Sequence, residues 1–291
     1  MRIKIILYCG ILAISTLTFM GSTRLLAQES RSSSEATIIS NRARPMSEAA
    51  DLLEDKSIDN VITYEDPMLA WSGDMDKLLA PGNRTRFIPK MRSFSLPPEV
   101  QNRSLDLDTV GRAVIAYNTQ TDGPRFKIIT SRWGWHIVPD RVRNVDGQFE
   151  PTKSLLDTAI SIPAAKRTPL KHMETICEAV TAATETGFVL KPNIPWLDQY
   201  FAPENTIPRW ANDEELEKIS FEWGCDQTNA RNAVIDLLEY SSSTLSWRVL
   251  CEPGEQYCVF NIMPVMVPFI GPDGKMHKTS LVHDRDSIRR H

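Results

Sequence analysis

Pro45-Met46-Ser47-Glu48-Ala49-Ala50-Asp51-Leu52-Leu53-Glu54, followed by Val61-Ile62-Thr63-Tyr64, decides how this chain is built. Met46, Ala49, Ala50 and Leu53 recur at i, i+3, i+4 and i+7, with the acidic residues off that face. The spacing predicts an amphipathic helix of about ten residues. Pro45 suits its first position, where a missing N–H costs nothing. Val61–Tyr64 then reads as a strand that stops at Asp66-Pro67, and Thr37-Ile38-Ile39 as a short strand before the helix. Working outward, residues 65–103 form an irregular insert with a strand candidate at 94–96. A second helix is predicted from Asp106, with Leu107, Val110, Val114 and Tyr117 on one face. Strands at 126–130 and 135–138 follow, joined by a tight turn around Arg132–Gly134.

The same order returns in the second half. A strand at 159–162 precedes a helix opened by Pro169, with Leu170, Met173, Ile176, Cys177, Val180 and Ala183 as its stripe. Gly187 ends it, and 188–190 is a strand. After an insert at 191–216, a strand is expected at 219–223. Thr228 is the expected cap of a helix bearing Ala230, Val234, Leu237, Leu238 and Ser241 on one side. Strands at 245–251 and 258–263 close the half. Pro45 and Pro169 stand 124 positions apart, Asp106 and Thr228 122, and Val138-Pro139 and Met263-Pro264 125. A preserved offset over a whole half is the mark of duplication. Each half reads βαβ followed by βαββ, so the expected fold class is α+β, with small sheets packed on helices. Helices this short cannot hold themselves in water and must bury their stripes on a sheet.

The 291 residues allow two domains. Apolar residues make up 42% and charged residues 24%, and 33 Lys+Arg against 37 Asp+Glu leave a net charge of −4. Nucleic-acid binding through phosphate neutralisation is disfavoured, because it needs a basic excess. Arg2 and Lys4, an apolar run at 5–20, and Leu25-Leu26-Ala27 before Gln28 give the three parts of a secretory signal peptide. The expected location is periplasmic or secreted. Cleavage removes three basic residues and no acids, which leaves a net −7. Neither stable membrane insertion nor adhesion to an anionic bilayer is expected of the cleaved form.

Cys177, Cys225, Cys251 and Cys258 lie beyond the signal segment. An even count in an exported chain points to disulfides. Cys251 and Cys258 flank a four-residue loop between two strand candidates. That places them on facing positions within bridging reach. Cys177 with Cys225 is the remaining pairing. Free buried thiols are the alternative for all four.

Two stretches resemble a known family. Residues 44–54 leading into 61–67 are similar to the opening of a secretin and TonB N-terminal (STN) short domain. So are 229–241, followed by 245–250 and 257–262. The resemblance implies a βαβ–βαββ module of the bacterial envelope that acts through protein–protein contacts and has no catalytic residues. Long inserts set this chain apart, and no pore or barrel is expected after the modules. The expected organisation is a signal peptide (1–27), a flexible lead (28–36), module one (37–138, insert 65–103), a linker (139–158), module two (159–264, insert 191–216) and a polar tail (265–291).

No catalytic constellation is legible. There is no Gly-x-Ser-x-Gly elbow, phosphate-cradling Gly-Lys-Ser/Thr loop or His-Glu-x-x-His. No cofactor-binding or metal-ligating residues are expected. His136 reads as a structural strand residue and His172 as a surface residue. Glu65-Asp66 and Asp213-Glu214-Glu215 read as solvated carboxylates. The aromatics carry the interaction candidates, since aromatic side chains anchor interfaces. Trp133 and Trp135 are expected on one strand face, as core or as a platform. Trp196, Tyr200, Phe201 and Trp210 cluster in the second insert. Trp247 lies on the C-terminal hairpin, the expected open sheet edge, where it is either a hot spot or core. The expected function is therefore an envelope adaptor that binds another protein. The alternatives are a small-ligand carrier in a groove between the modules, or a hydrolase of envelope polymers.

Overall fold

The computed structural model describes residues 37–57, 60–68, 74–80, 84–101, 105–144, 146–191, 197–202, 213–252 and 254–281. The expected signal peptide and flexible lead lie outside them. Strand β1 (Ile38–Arg42) leads to helix α1 (Pro45–Lys56) and strand β2 (Val61–Glu65). Pro45 opens α1 as the sequence predicts, and Met46, Ala49, Ala50 and Leu53 are buried. A hairpin of β3 (Met75–Ala80) and β4 (Arg84–Pro89), then β5 (Arg92–Ser95), gives the expected irregular insert a regular structure. Helix α2 (Leu107–Gln120) is capped by Asp106, whose carboxylate accepts the Thr109 N–H at 2.8 Å. Strands β6 (Arg125–Thr130) and β7 (Gly134–Arg143) complete the first half. Gly134 faces Val61 across β2 and β7 with φ +154°, and a Cβ there would sit 2.4 Å from the Val61 carbonyl oxygen. Only glycine lets the two strands approach this closely.

The expected linker 139–158 is not one. It contains the end of β7, the short strand β8 (Phe149–Pro151) paired to it, and a 3-10 turn at Leu155–Asp157. The second half then runs β9 (Ala159–Arg167), α3 (Pro169–Thr184), β10 (Gly187–Leu190), α4 (Asp213–Ile219), β11 (Phe221–Asn229), α5 (Ala230–Leu238), β12 (Leu245–Glu252) and β13 (Tyr257–Pro264). The cap of α5 is Asn229, which accepts the Arg231 N–H, and not Thr228. The expected polar tail 265–291 begins with a regular hairpin of β14 (Met266–Ile270) and β15 (Met276–Ser280).

The pairing repeats between the halves. β1 pairs with β5 as β9 pairs with β11, antiparallel in both cases. β2–β7–β6 matches β10–β13–β12, each a parallel pair followed by an antiparallel one. The molecule is mixed α+β, with sheets packed against helices. The two groups of three do not stay apart. A parallel contact between β12 and β2 joins them in the order β10-β13-β12-β2-β7-β6, and β8 makes the sheet seven-stranded. One apolar core gathers around α1 and α2, and the other around α3 and α5. Among the described residues, no helix is long and apolar enough to cross a membrane.

Buried charge bridges the halves at the junction. Arg231 on α5 donates to both carboxylate oxygens of Glu65 on β2, at 2.8 and 2.6 Å, and to Asp157 at 2.7 Å. Arg248 on β12 pairs with Asp51 at 2.8 Å and Glu54 at 3.3 Å on α1. A buried ion is tolerated only when its hydrogen-bonding capacity is met. Glu65-Asp66 is therefore not the solvated carboxylate pair that the sequence suggests. Asp66 accepts from Arg44, from Tyr64 and from the backbone N–H of Cys251.

Candidate functional site

The sheet has two ends, β6 and β10. In β6, Ser131 N–H bonds the Gly134 carbonyl at 2.9 Å at the turn into β7. Antiparallel pairing alternates residue by residue. Lys127 and Ile129 therefore bond β7, while the N–H and C=O of Phe126, Ile128 and Thr130 point away from the sheet. Pro139 opposite Phe126 agrees, since it has no N–H to give. Asn118 of α2 supports the same assignment. Its carboxamide accepts the Phe126 N–H at 3.0 Å and donates to the Phe126 carbonyl at 2.7 Å, as a neighbouring strand would. Beyond this cap, nothing among the described residues takes the outward groups of Ile128 and Thr130.

An open groove of about 550 Å³ lies there, lined by Leu107, Asp108 and Gly111 of α2 and by Ile128 and Thr130 of β6. Leu107, Gly111, Ile115 and Asn118 follow one another along the flank of α2 at helical spacing. This flank faces the same way as the strand edge, because Asn118 reaches that edge. The sequence places Leu107 on the core face, but it is 42% exposed, and Ile115 is 61% exposed. Gly111 is the odd member. A Cβ there would meet nothing within 4 Å. A glycine inside a helix costs about 1 kcal/mol against alanine. No contact among the described residues requires it, so the space it leaves is available to a partner.

The β10 end is less open. Parallel pairing puts the Gly187 N–H on the Gln256 carbonyl and the Lys191 N–H on the Phe260 carbonyl, so Phe188 and Leu190 face outward. The Thr181 hydroxyl of α3 accepts the Phe188 N–H at 2.9 Å and donates to its carbonyl at 3.3 Å. Both ends of the sheet thus carry a side-chain cap from the helix before the strand. Among the described residues, only Leu190 remains outward at this end, against two residues on β6.

The aromatic candidates go elsewhere. Trp247 does not sit on an edge, because β12 is paired on both sides, with β13 and with β2. It is fully buried, stacked on His136 at 5.0 Å, and its indole N–H reaches Glu65 at 3.3 Å. Trp133 and Trp135 do not share a face. Trp133 precedes β7, donates to the Leu245 carbonyl at 2.8 Å and joins the second core, while Trp135 packs on the first. Phe201 and Tyr200 pack against the second core, and the Tyr200 carbonyl takes three bonds from Ser241 and Ser242. Trp196 and Trp210 lie outside the described residues. His172 is buried, not on the surface, and its Nε2 lies 2.9 Å from the Phe221 carbonyl.

Cys251 and Cys258 form the expected disulfide across the β12–β13 pair. Cys177 and Cys225 are separate thiols, on α3 and β11. Burial pushes both thiols up, so neither is a poised nucleophile. The groove residues carry no acid–base or nucleophilic constellation either. What the β6–α2 edge can do is bond a strand. The sequence signals for it were Gly111 inside a helix and Asn118 eight positions before Phe126. The chain matches no family model, no curated protein and no solved structure.

Proposed function

We propose that this is an exported bacterial envelope protein, built from two STN-like modules fused through one sheet, that binds by strand addition at β6. The carrying observation is the pair of outward backbone positions, Ile128 and Thr130, set beside the groove that Gly111 leaves open. In strand addition, backbone hydrogen bonds give affinity and side-chain pockets give selectivity. Ile128 and Thr130 supply the first, and the Leu107–Gly111–Ile115 flank supplies the second. The repeated pairing of the halves supports the STN-like reading. The Cys251–Cys258 disulfide fits an oxidising compartment, and the basic, apolar and small-residue order of positions 1–27 supports export.

The test is capture from envelope extracts on the immobilised protein, followed by a synthetic peptide of the captured partner's extended segment. That peptide should slow hydrogen exchange at the Ile128 and Thr130 amides. Gly111→Glu, which fills the groove, should weaken it by about 2 kcal/mol or more. Protection elsewhere, or unchanged affinity in Gly111→Glu, would overturn the proposal.

A further inference from the structure

We infer that the resting occupant of this edge is a second copy of the same chain, paired β6 to β6 and α2 to α2 about one two-fold axis. The inference rests on the reading of β6 as a strand acceptor and adds its partner.

Three features of the surface fit one two-fold arrangement. The first is the backbone. An antiparallel pairing centred on Ile129 sets Ile128 of each copy opposite Thr130 of the other. In both residues the N–H and the C=O point outward, so each pair exchanges two hydrogen bonds. The Asn118 caps lie beyond the paired stretch and do not obstruct it. The second feature is the helix layer. Gly111 lines the same groove as Ile128 and Thr130. The axis that passes through Ile129 therefore passes beside Gly111. Leu107 and Ile115 stand four residues to either side of it. Antiparallel packing sets Leu107 against Ile115 of the second copy and Gly111 against its own mate. Glycine at that crossing permits close approach of two helix backbones, which accounts for a residue that nothing among the described residues explains.

The third feature is charge. Asp108 and Arg112 form an exposed ion pair at 3.1 Å on α2. They flank the stripe on its solvent side. On the two-fold at Gly111, Asp108 of one copy lies two positions, about 3 Å of helix rise, from the level of Arg112 of the other, a gap that the long arginine side chain spans. The pairing also keeps like charges apart. Lys127, salt-bridged to Asp140 at 3.2 Å, falls opposite Ser131 of the second copy and not opposite its own mate. An isologous contact of this kind closes on itself. It doubles the sheet and hides the β6 edge of each copy, which removes an aggregation hazard there. A partner strand then competes with the second copy for the same N–H and C=O groups.

Sedimentation velocity of the purified protein over a concentration series tests this. The native protein should show a monomer–dimer equilibrium. Gly111→Glu should be monomeric, and at dilutions where the native protein is also monomeric its melting temperature should be undiminished, because its side chain meets open space and is a better helix former than glycine. Asp108→Arg and Arg112→Asp should each be monomeric alone, and an equimolar mixture of the two should form a heterodimer. An ion pair confined to one chain cannot produce that rescue. A native protein that stays monomeric at every concentration overturns self-pairing. Strand addition itself then stands or falls on the exchange protection of Ile128 and Thr130 by a captured peptide. A dimer that survives Gly111→Glu, or mixed charge variants that remain monomers, places any self-association on another face and also overturns the inference.

Discussion

His136 shows how a single residue is held by the junction of the halves. Its Nδ1 lies 2.8 Å from Thr63 Oγ1 and its Nε2 2.7 Å from Ser131 Oγ, while Trp247 covers its ring. Burial, with the Arg231 guanidinium as a lesser cause, lowers its pKa to about 3. An unfolded histidine titrates near pH 6.5. Between those values the unfolded chain holds a proton that the folded chain refuses. The contribution is therefore fully present above about pH 6.5 and is lost as pH falls toward 3, at up to about 1.4 kcal/mol per pH unit. Urea denaturation between pH 7 and 4 should show a shallower acid loss for His136→Gln than for the native protein, and equal slopes would refute the assignment. The structural role of His136 was legible in its strand. That of His172 was hidden by its polarity, although Pro169, His172, Met173 and Ile176 keep the spacing of a buried stripe. Its neighbours Phe221 and Trp223 come from a distant strand, and no local pattern announces them.

At the scale of elements, helices and register were readable and edges were not. The Pro45 and Pro169 helices, the buried stripe of α5 and the Cys251–Cys258 register follow from spacing alone. Strand order does not. Leu245-Ser246-Trp247-Arg248-Val249 alternates apolar and polar residues, which reads as a strand with one wet face. That face is covered by α1, where Ser246 donates to Glu54 and Arg248 pairs with Asp51 and Glu54. Paired polar residues mimic exposure in the sequence, so β12 passed for an edge while β6 was the edge. The caps on the true ends make a testable element-level claim. Asn118→Ala leaves the Phe126 N–H and C=O without their partner. Such a loss in a part-buried setting costs about 1–2 kcal/mol. Hydrogen exchange at the Phe126 amide should quicken in the variant, and thermal unfolding should register the loss. An unchanged Phe126 amide would mean that the carboxamide does not act as a surrogate strand.

For the whole molecule, duplication predicts two modules that fold apart, whereas the contacts predict one that folds together. β2 and β12 share only the Tyr64–Arg248 and Val249–Glu65 positions of a parallel ladder, continued by the Asp66 N–H on the Val249 carbonyl at 2.8 Å. So short a backbone seam would not couple two domains by itself. The side chains do. Trp133 and Val61 of the first half are built into the second core, and Leu250 of the second half packs on the first. Removing one half would strand Glu65 without Arg231, and Arg248 without Glu54. It would also uncover Val61, Trp133 and Leu250 to water, and each large apolar side chain so exposed forfeits about 1.5–3 kcal/mol, a large share of the roughly 5–15 kcal/mol that holds a typical domain. Neither half can lose its neighbour and keep that margin. Calorimetry should therefore show a single unfolding transition whose van't Hoff and calorimetric enthalpies agree. A chain divided after Gly147 should yield two fragments that are each unfolded alone and regain structure when mixed. Two separated transitions, or a first-half fragment that folds alone, would return the molecule to the tandem arrangement that its sequence repeat suggests.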